Sequence, residues 1–172
     1  MALIQRLGER DRALFDRFRL GHTSRRLWCT LAVALTHLGS ASTTIALALA
    51  PFLLPGWHAV GRHAIYTLML SHLLVQMIKR TVSRPRPSCA VGDEPLICVP
   101  DRFSFPSGHA AAALSIALAY IAVMPELAIP VIVLAGVVGA TRVALGVHYP
   151  GDVAAGQSIA LVTHLLLVHF SV

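Results

Sequence analysis

The sequence is poor in charged and sulfur-bearing side chains. Of its 172 residues only 13% are charged, eight are Asp or Glu, and three are Cys. Carboxylates and cysteines gather nowhere in the numbers that a zinc or calcium site needs. We therefore expect no resident metal, and no motif in the chain predicts another cofactor.

Long polar stretches are equally scarce. Hydrophobic residues make up 56% of the chain, too many for a soluble globule of this size. Residues 1–20 carry charges throughout and lack the apolar core of a cleavable signal peptide. The formal net charge is +6, but the arginines cluster at the N-terminus and at segment ends rather than among aromatic platforms. This favours anionic lipid headgroups over nucleic acid as the partner.

The apolar residues form five runs that could cross a bilayer, which takes roughly 20 residues per helix. Residues 2–20 instead place Leu and Phe at helical spacing with arginines between them. This predicts an amphipathic helix in the membrane interface within residues 1–24, a partner-binding helix being the alternative. The chain is predicted to be a single all-α, multi-pass membrane domain over residues 1–172, and the spans are 27–54, 62–79, 107–124, 127–147 and 152–170.

One polar connection, 80–106, is too long for a passive turn, and long loops in compact domains usually carry function. With five spans, this loop and the 148–151 turn fall on the same membrane face as the N-terminus. Residues that suit phosphate chemistry flank both segments. We therefore expect one site at that surface.

The tetrapeptide Pro106-Ser107-Gly108-His109 stands where the loop becomes a helix. A helix start presents unpaired N–H groups and a positive dipole end, and phosphate is its natural ligand. Ser107 adds a hydroxyl, and Gly108 lets a ligand approach the backbone. The alternative for Ser107 is ordinary helix capping.

Cations lie on either side of this tetrapeptide. Arg142 lies inside the fourth span, where an ionisable residue is costly and indicates function. Arg86 lies between two prolines that stiffen an extended segment and can aim it inward, where a guanidinium can bind phosphate oxygens. Taken alone, Lys79, Arg80 and Arg84 are more typical of cations that end a span at the interface.

His148 ends the fourth span, and Asp152 opens the fifth after a Tyr-Pro-Gly turn. A carboxylate that holds one imidazole nitrogen leaves the other free as a base or nucleophile. Asp152 could also serve only as a helix N-cap. His109 is the second histidine beside the predicted anion site.

These patterns resemble the signature of the type 2 phosphatidic acid phosphatase superfamily, which includes small integral-membrane lipid phosphatases and the vanadium haloperoxidases. The similarity covers about residues 62–160. The matches are Lys79, Arg86 and Pro87 for the first motif, Pro106 to His109 for the second, and Arg142, His148 and Asp152 for the third, with Thr141 where the family has Ser.

The resemblance implies a haloperoxidase-like helical core and metal-independent hydrolysis of a phosphate ester. His148 would attack phosphorus and form a phosphohistidine, oriented by Asp152. His109 would protonate the leaving oxygen and then activate water. The phosphoryl oxygens would be bound by the remaining motif residues: Lys79, Arg86, Ser107, Gly108 and Arg142.

A site at the membrane surface suggests a lipid-linked substrate, namely polyprenyl diphosphate, a polyprenyl phosphosugar, phosphatidylglycerol phosphate or phosphatidic acid. The resemblance implies a bacterial inner membrane and favours a site on its outer face, where Cys89 and Cys98 could form a disulfide. The seven arginines before the first span favour the cytoplasmic face instead. The alternatives to hydrolysis are a phosphotransferase that uses the same phosphohistidine and a non-catalytic lipid-binding or transport protein.

Overall fold

In a computed structural model of the protein, the described residues are 2–21, 26–87, 96–97 and 101–170, with side chains from residue 8 onward. Residues 88–95 and 98–100 of the predicted site loop, which include Cys89 and Cys98, lie outside them. The described part folds into α-helices joined by short turns and 3₁₀ segments. They are α1 (Ala2–Phe18), α2 (Arg26–Thr36), α3 (Ala41–Leu49), α4 (His58–Val82), α5 (Gly108–Ile121), α6 (Ala128–Ala144) and α7 (Pro150–His169).

Helix α5 lies at the centre of the bundle and packs against α4, α6 and α7. Its sequence explains this position, because the run of alanines from Ala110 to Ala112 is buried and lets neighbouring helices approach closely. The hydroxyl groups of Ser71 and Ser115 lie 3.0 Å apart and join α4 to α5 inside the bundle.

The bundle exposes apolar residues and buries polar ones. Leucines on its outer surface, such as Leu165 and Leu166 of α7, are more than half exposed, while Arg142 and Asp152 are almost fully buried. A surface of this kind suits lipid, where the helix backbones satisfy their own hydrogen bonds. The prediction of an all-α membrane bundle is confirmed.

The number of spans stays a prediction. Among the described residues, two helical stretches are long and apolar enough to cross a membrane, Pro125–Ala144 and Pro150–His169. Arg26–Gly39 and Ala41–Leu53, bent by 46° from each other, make a third if they count as one span. Helix α4 has 25 residues, but polar residues such as His63 and Gln76 lower its hydropathy. Helix α5 has only 14 residues.

Helix α7 contacts the start of α5 through Gly156. A methyl group added at Gly156 would overlap the carbonyl oxygen of Ser107, and backbone cannot move aside as a flexible side chain can. The Ser107 N–H also donates to the Asp152 carbonyl at 2.9 Å. These two contacts with α7 together fix the position of the Ser107 backbone. The small residue is therefore needed where the predicted phosphate-binding turn meets α7.

We expect Gly156→Ala to lower turnover by about 10- to 100-fold, because displacements near 1 Å can cost that much. The matched control is Gly136→Ala in α6, where an added methyl meets no atom within 4 Å. Turnover of both variants and their melting temperatures in detergent test the prediction. Normal turnover in Gly156→Ala would show that the contact does not position Ser107.

Candidate active site

Four helix ends meet at one end of the bundle. There α4 ends near Lys79, α5 begins at Gly108, α6 ends just after Arg142, and α7 begins beside Asp152. All eight site residues predicted from the sequence lie in this region, although their loops and helices are far apart along the chain. The predicted convergence of the three motifs is thus present in the fold.

The loop segments that carry Arg86 and Ser107 run antiparallel to each other. Pro85 and Phe103 form an isolated antiparallel bridge. The Ser104 N–H donates to the Arg84 carbonyl at 2.9 Å, and the Ser104 hydroxyl donates to the Pro85 carbonyl at 3.1 Å. These bonds hold Pro85 in the extended conformation that the sequence predicts, whereas Pro87 has helical backbone. Arg86, between them, is buried with only 4% exposed.

Arg86 contacts His148 directly. Its Nε donates to the Asp101 carbonyl at 2.7 Å, and one terminal nitrogen donates to the Val147 carbonyl at 2.7 Å. The same terminal nitrogen lies 3.3 Å from Nε2 of His148. Because a guanidinium has no acceptor, Nε2 must carry a lone pair, which places the imidazole proton on Nδ1.

Asp152 faces the other nitrogen of His148. Its Oδ2 lies 3.7 Å from Nδ1 of His148, an ion-pair distance that is too long for a hydrogen bond. The same oxygen accepts the Tyr149 N–H at 2.8 Å. The helix begins at Pro150, so the prediction that Asp152 is the N-cap residue was wrong by position. The carboxylate nevertheless binds a backbone N–H at the helix start and faces the histidine as well.

Among the residues that the structure describes, three buried side-chain atoms have no hydrogen-bond partner in the protein: Ser107 Oγ, Arg142 Nε and His148 Nδ1. Ser107 is the residue that precedes α5, but its hydroxyl makes no capping bond. Arg142 donates one terminal nitrogen to the Thr36 hydroxyl at 2.9 Å. Buried polar atoms left unpaired are costly, so such a cluster indicates a polar ligand.

Thr141, which stands where the family motif has Ser, does not point its hydroxyl at a ligand. The hydroxyl donates to the Val138 carbonyl of its own helix at 2.7 Å. The substitution therefore leaves the position of Arg142 unaffected.

Lys79 is buried. Taken alone, its position in the sequence was more typical of a cation exposed at the membrane interface, and that interpretation was wrong. Lys79 Nζ binds the carboxylate of Asp101, a residue that the sequence patterns did not single out. Burial alone would raise the pKa of Asp101, but hydrogen bonds from Lys79 and from the Phe103 N–H outweigh burial and lower it. Asp101 thus stays ionised and holds the lysine against the site.

Arg84 is the second residue that sequence reasoning missed. It was assigned to the interface, but one terminal nitrogen donates to Asp152 Oδ1 at 2.7 Å and the other to Asp11 Oδ2 at 2.8 Å. In an extended segment, alternate residues share a face. Arg84 therefore points inward for the same reason as Arg86, and that signal was present in the sequence.

A cavity of ≈ 720 Å³ connects these groups to the apolar surface of the bundle. One part is lined by polar residues of the predicted site, including Lys79, Arg86, His109, Arg142 and His148. The rest is lined mainly by residues of α3 and α4, among them the apolar Ile45, Leu68, Met69, Leu70 and Leu73 and the polar Thr44, His72 and Gln76. An anion-binding end that continues into an apolar groove suits a ligand with a phosphate head and a hydrocarbon tail.

Within the described ranges, no group of three or more His, Cys, Asp or Glu side chains is arranged to hold a metal ion. The charges that face the cavity are mainly cationic. This donor set suits an anion.

His148 is expected to be neutral at physiological pH. Burial, together with the guanidinium groups of Arg86 and Arg142, lowers its pKa to about 4. Its ordinary value is about 6.5. We therefore expect kcat/KM to fall at acidic pH with a midpoint near pH 4. This midpoint is read after correction for the ionisation of the substrate phosphate, which occurs near pH 6. A midpoint near pH 6.5 in the corrected profile would contradict this assignment.

The same shift makes folding stability depend on pH. Because the folded-state pKa lies below the unfolded one, the unfolded chain binds more protons between these two values. The stability that the neutral histidine contributes is fully present above about pH 6.5 and is lost as the pH falls towards 4.

The sequence and fold match known proteins over most of this region. A family model described as the PAP2 superfamily matches residues 60–172. The chain is 40% identical over 141 residues to the decaprenylphosphoryl-5-phosphoribose phosphatase of Mycolicibacterium smegmatis, which covers 74% of this chain and 70% of the relative. It is 33% identical over 102 residues to the lipid A 1-phosphatase of Rhizobium johnstonii, which covers 56% of this chain but only 42% of that protein.

Two solved structures share the fold. The first transmembrane PAP2 type phosphatidylglycerolphosphate phosphatase from Bacillus subtilis superposes with a TM-score of 0.77 at 27% identity, covering 96% of this chain and 86% of its own. LpxE of Aquifex aeolicus superposes with a TM-score of 0.78 at 25% identity, covering 91% and 93%. With the three motifs and the helical fold in agreement, the chain belongs to the PAP2 superfamily, as a lipid phosphatase of its integral-membrane branch.

Proposed function

We propose that the protein hydrolyses a lipid-linked phosphate monoester or diphosphate, without a metal ion, through a phosphohistidine on His148. The observation that carries this proposal is the pair of unpaired buried atoms Ser107 Oγ and Arg142 Nε beside His148. Arg142 and His148 line a cavity with other cations, and Ser107 directly precedes the lining residue Gly108; most of the remaining cavity wall is apolar. A phosphoryl group in that position would give the hydroxyl and the guanidinium their missing partners.

In the first half-reaction, the lone pair of His148 Nε2 would attack phosphorus. A P–N bond forms while the bond from phosphorus to the leaving oxygen breaks, and His109 supplies a proton to that oxygen. The proton on His148 Nδ1 stays beside Asp152, whose charge stabilises the cationic phosphohistidine. Lys79, Arg86 and Arg142 would stabilise the charge on the equatorial oxygens.

In the second half-reaction, His109 would accept a proton from water as the water attacks phosphorus. The P–N bond breaks, inorganic phosphate leaves, and both histidines return to their starting states. The Ser107 hydroxyl and the backbone N–H groups of the first turn of α5, beginning at Gly108, would bind the same oxygens in both steps.

Among lipid substrates, a polyprenyl-linked phosphosugar is the first choice. The relative with 40% identity is named for such a substrate, and its match covers about three quarters of this chain. The apolar groove beside α3 and α4 can hold part of a long unsaturated chain.

The test is phosphate release by the purified protein in detergent with EDTA present. The panel contains a polyprenyl phosphosugar, polyprenyl diphosphate, phosphatidylglycerol phosphate and phosphatidic acid. We expect release from at least one lipid and inhibition by vanadate, which mimics the trigonal-bipyramidal phosphoryl group. Activity lost in EDTA and restored by magnesium would overturn the metal-free mechanism. Release of phosphate only to an added lipid acceptor would instead indicate a phosphotransferase.

We also propose that the site lies on the outer face of a bacterial inner membrane, supported by the resemblance to bacterial members of the family. Arg102 is exposed beside the site and can be replaced by cysteine in a chain whose own cysteines are changed to serine. A membrane-impermeant thiol reagent added to intact cells should label that cysteine. Labelling only after the cells are lysed would place the site on the cytoplasmic face.

A further inference from the structure

Helix α1 contacts the site through Asp11. One carboxylate oxygen of Asp11 accepts the Gly151 N–H at 2.7 Å, and the other accepts a terminal nitrogen of Arg84 at 2.8 Å. The Asp11 side chain is only 14% exposed. An acidic residue of the N-terminal helix therefore binds the turn between His148 and Asp152 directly, which the amphipathic pattern of α1 does not require.

Arg84 links Asp11 to Asp152. Its guanidinium is shared between these two carboxylates and lies 4.0 Å from the centre of the Tyr149 ring. Asp152 itself is fully buried. Each side of the guanidinium thus has an anionic or aromatic partner, and its orientation is fixed by all three together.

Helix α1 is anchored beside this ion network by apolar packing. The Phe15 ring packs edge-on against Tyr149, with the ring centres 5.4 Å apart, and is 2% exposed. Farther along, the Leu20 N–H donates to the Ala144 carbonyl at 2.8 Å. In contrast, Leu14 and Phe18 are about half exposed, as expected for a helix that also lies in the membrane interface.

The arrangement fixes both oxygens of Asp152. Oδ1 accepts from Arg84, and Oδ2 accepts the Tyr149 N–H and faces His148. Without Asp11, the Arg84 side chain would keep only one ionic partner and regain rotational freedom, and the Gly151 N–H would lose its acceptor. The carboxylate would then be held less precisely against Nδ1 of His148.

We propose that Asp11 and Arg84 are positioning residues for Asp152, so that docking of the N-terminal helix sets the rate of phosphoryl transfer. This inference rests on the proposed function. Neither residue lines the cavity. Their effect should therefore appear in the rate of the chemical step and not in the binding of a phosphate mimic.

The opposing account is that Asp11 only holds α1 to the bundle. Loss of a purely structural contact would lower the fraction of folded, active enzyme, while each remaining active molecule would react at the normal rate. Steady-state turnover cannot separate these accounts, because both lower it. Two other measurements can, since the number of inorganic-phosphate sites per protein molecule reports folded enzyme and the single-turnover rate constant at saturating enzyme reports chemistry.

The experiment compares wild type, Asp11→Ala, Asp11→Asn and Asp11→Glu under single-turnover conditions, using the lipid that wild type hydrolyses best. We expect Asp11→Ala to lower the rate constant by about 10- to 100-fold, as for a small misplacement of a reacting group. The number of inorganic-phosphate sites per protein molecule and the dissociation constant of phosphate should stay at the wild-type level. Asp11→Glu, which keeps the charge, should recover more of the rate than Asp11→Asn.

Asp16→Ala is the matched control. Asp16 lies on the same helix but forms its ion pair locally with Arg19, at 3.6 Å, and is half exposed. Its loss should leave the rate constant and the number of phosphate sites unchanged. A wild-type rate constant in Asp11→Ala, with or without fewer phosphate sites per molecule, would overturn the inference. Wild-type protein without any activity towards the lipid panel would instead reject the proposed function.

Discussion

Replacement of His148 by alanine is expected to lower turnover by roughly 10⁴-fold or more, as for nucleophiles in other covalent hydrolases. The physical reason is that His148 offers an unprotonated Nε2 beside Arg86, while Asp152 faces its other nitrogen. No other group in the proposed mechanism can form the P–N bond. Initial rates of phosphate release by the purified variant measure the effect.

His148 is buried, so its loss could also disturb the fold. His148→Asn keeps a polar side chain of moderate volume and should be as inactive as the alanine variant, while both still bind inorganic phosphate through the cations. His58→Ala provides a control, because His58 is exposed at the opposite end of α4. Substantial turnover in a well-folded His148→Asn protein would exclude the covalent mechanism.

Replacement of Asp152 by asparagine should lower kcat by about 10²- to 10⁴-fold with little change in KM, by analogy with the carboxylate of a catalytic triad. The amide keeps the shape and can still accept the Tyr149 N–H. It cannot neutralise Arg84 or stabilise a positive charge on His148. Steady-state kinetics on the best lipid of the panel give both parameters.

The pattern of the change in Asp152→Asn matters as much as its size. A residue that only orients and stabilises His148 acts in the transition state and leaves ground-state binding intact. A large rise in KM with normal kcat would place Asp152 in substrate binding. That outcome would contradict the role given to it here.

The motif residues could be located from sequence because their chemistry conflicts with their surroundings. Arg142 and His148 are polar groups in or beside apolar runs, and burial of such groups is costly unless they serve a function. Their convergence followed from helix order alone, because each motif adjoins a helix end. What the motifs could not give was the pairing of buried atoms, such as Arg142 with Thr36.

Arg84 and Asp11 were missed for different reasons. Arg84 lies in an extended Arg-Pro-Arg-Pro segment, and the two-residue period that places Arg86 inward also places Arg84 inward. Asp11 has no local signal, since it is one of several charges on an amphipathic helix. Its partner is 73 residues away, and only the tertiary fold brings them together.

The span count was harder to predict because this bundle places polar residues inside its helices. A ring nitrogen of His63 in α4 lies 2.8 Å from a ring nitrogen of His164 in α7. The two residues are 101 positions apart in the sequence, which gives no sign of this contact. Polar pairs of this kind lower the hydropathy of α4 without making it a surface helix. Length and composition therefore identify α6 and α7 more readily than α4 and α5.

The central claim is that phosphate passes through His148. The most direct measurement uses the best lipid substrate labelled at its phosphate, a rapid quench in alkali, and mass spectrometry of the digested protein. We expect phosphate on His148 within the first turnover and on no other histidine. The His148→Ala variant should carry none. Full wild-type turnover without a phosphoenzyme, or with phosphate on another residue, would contradict it.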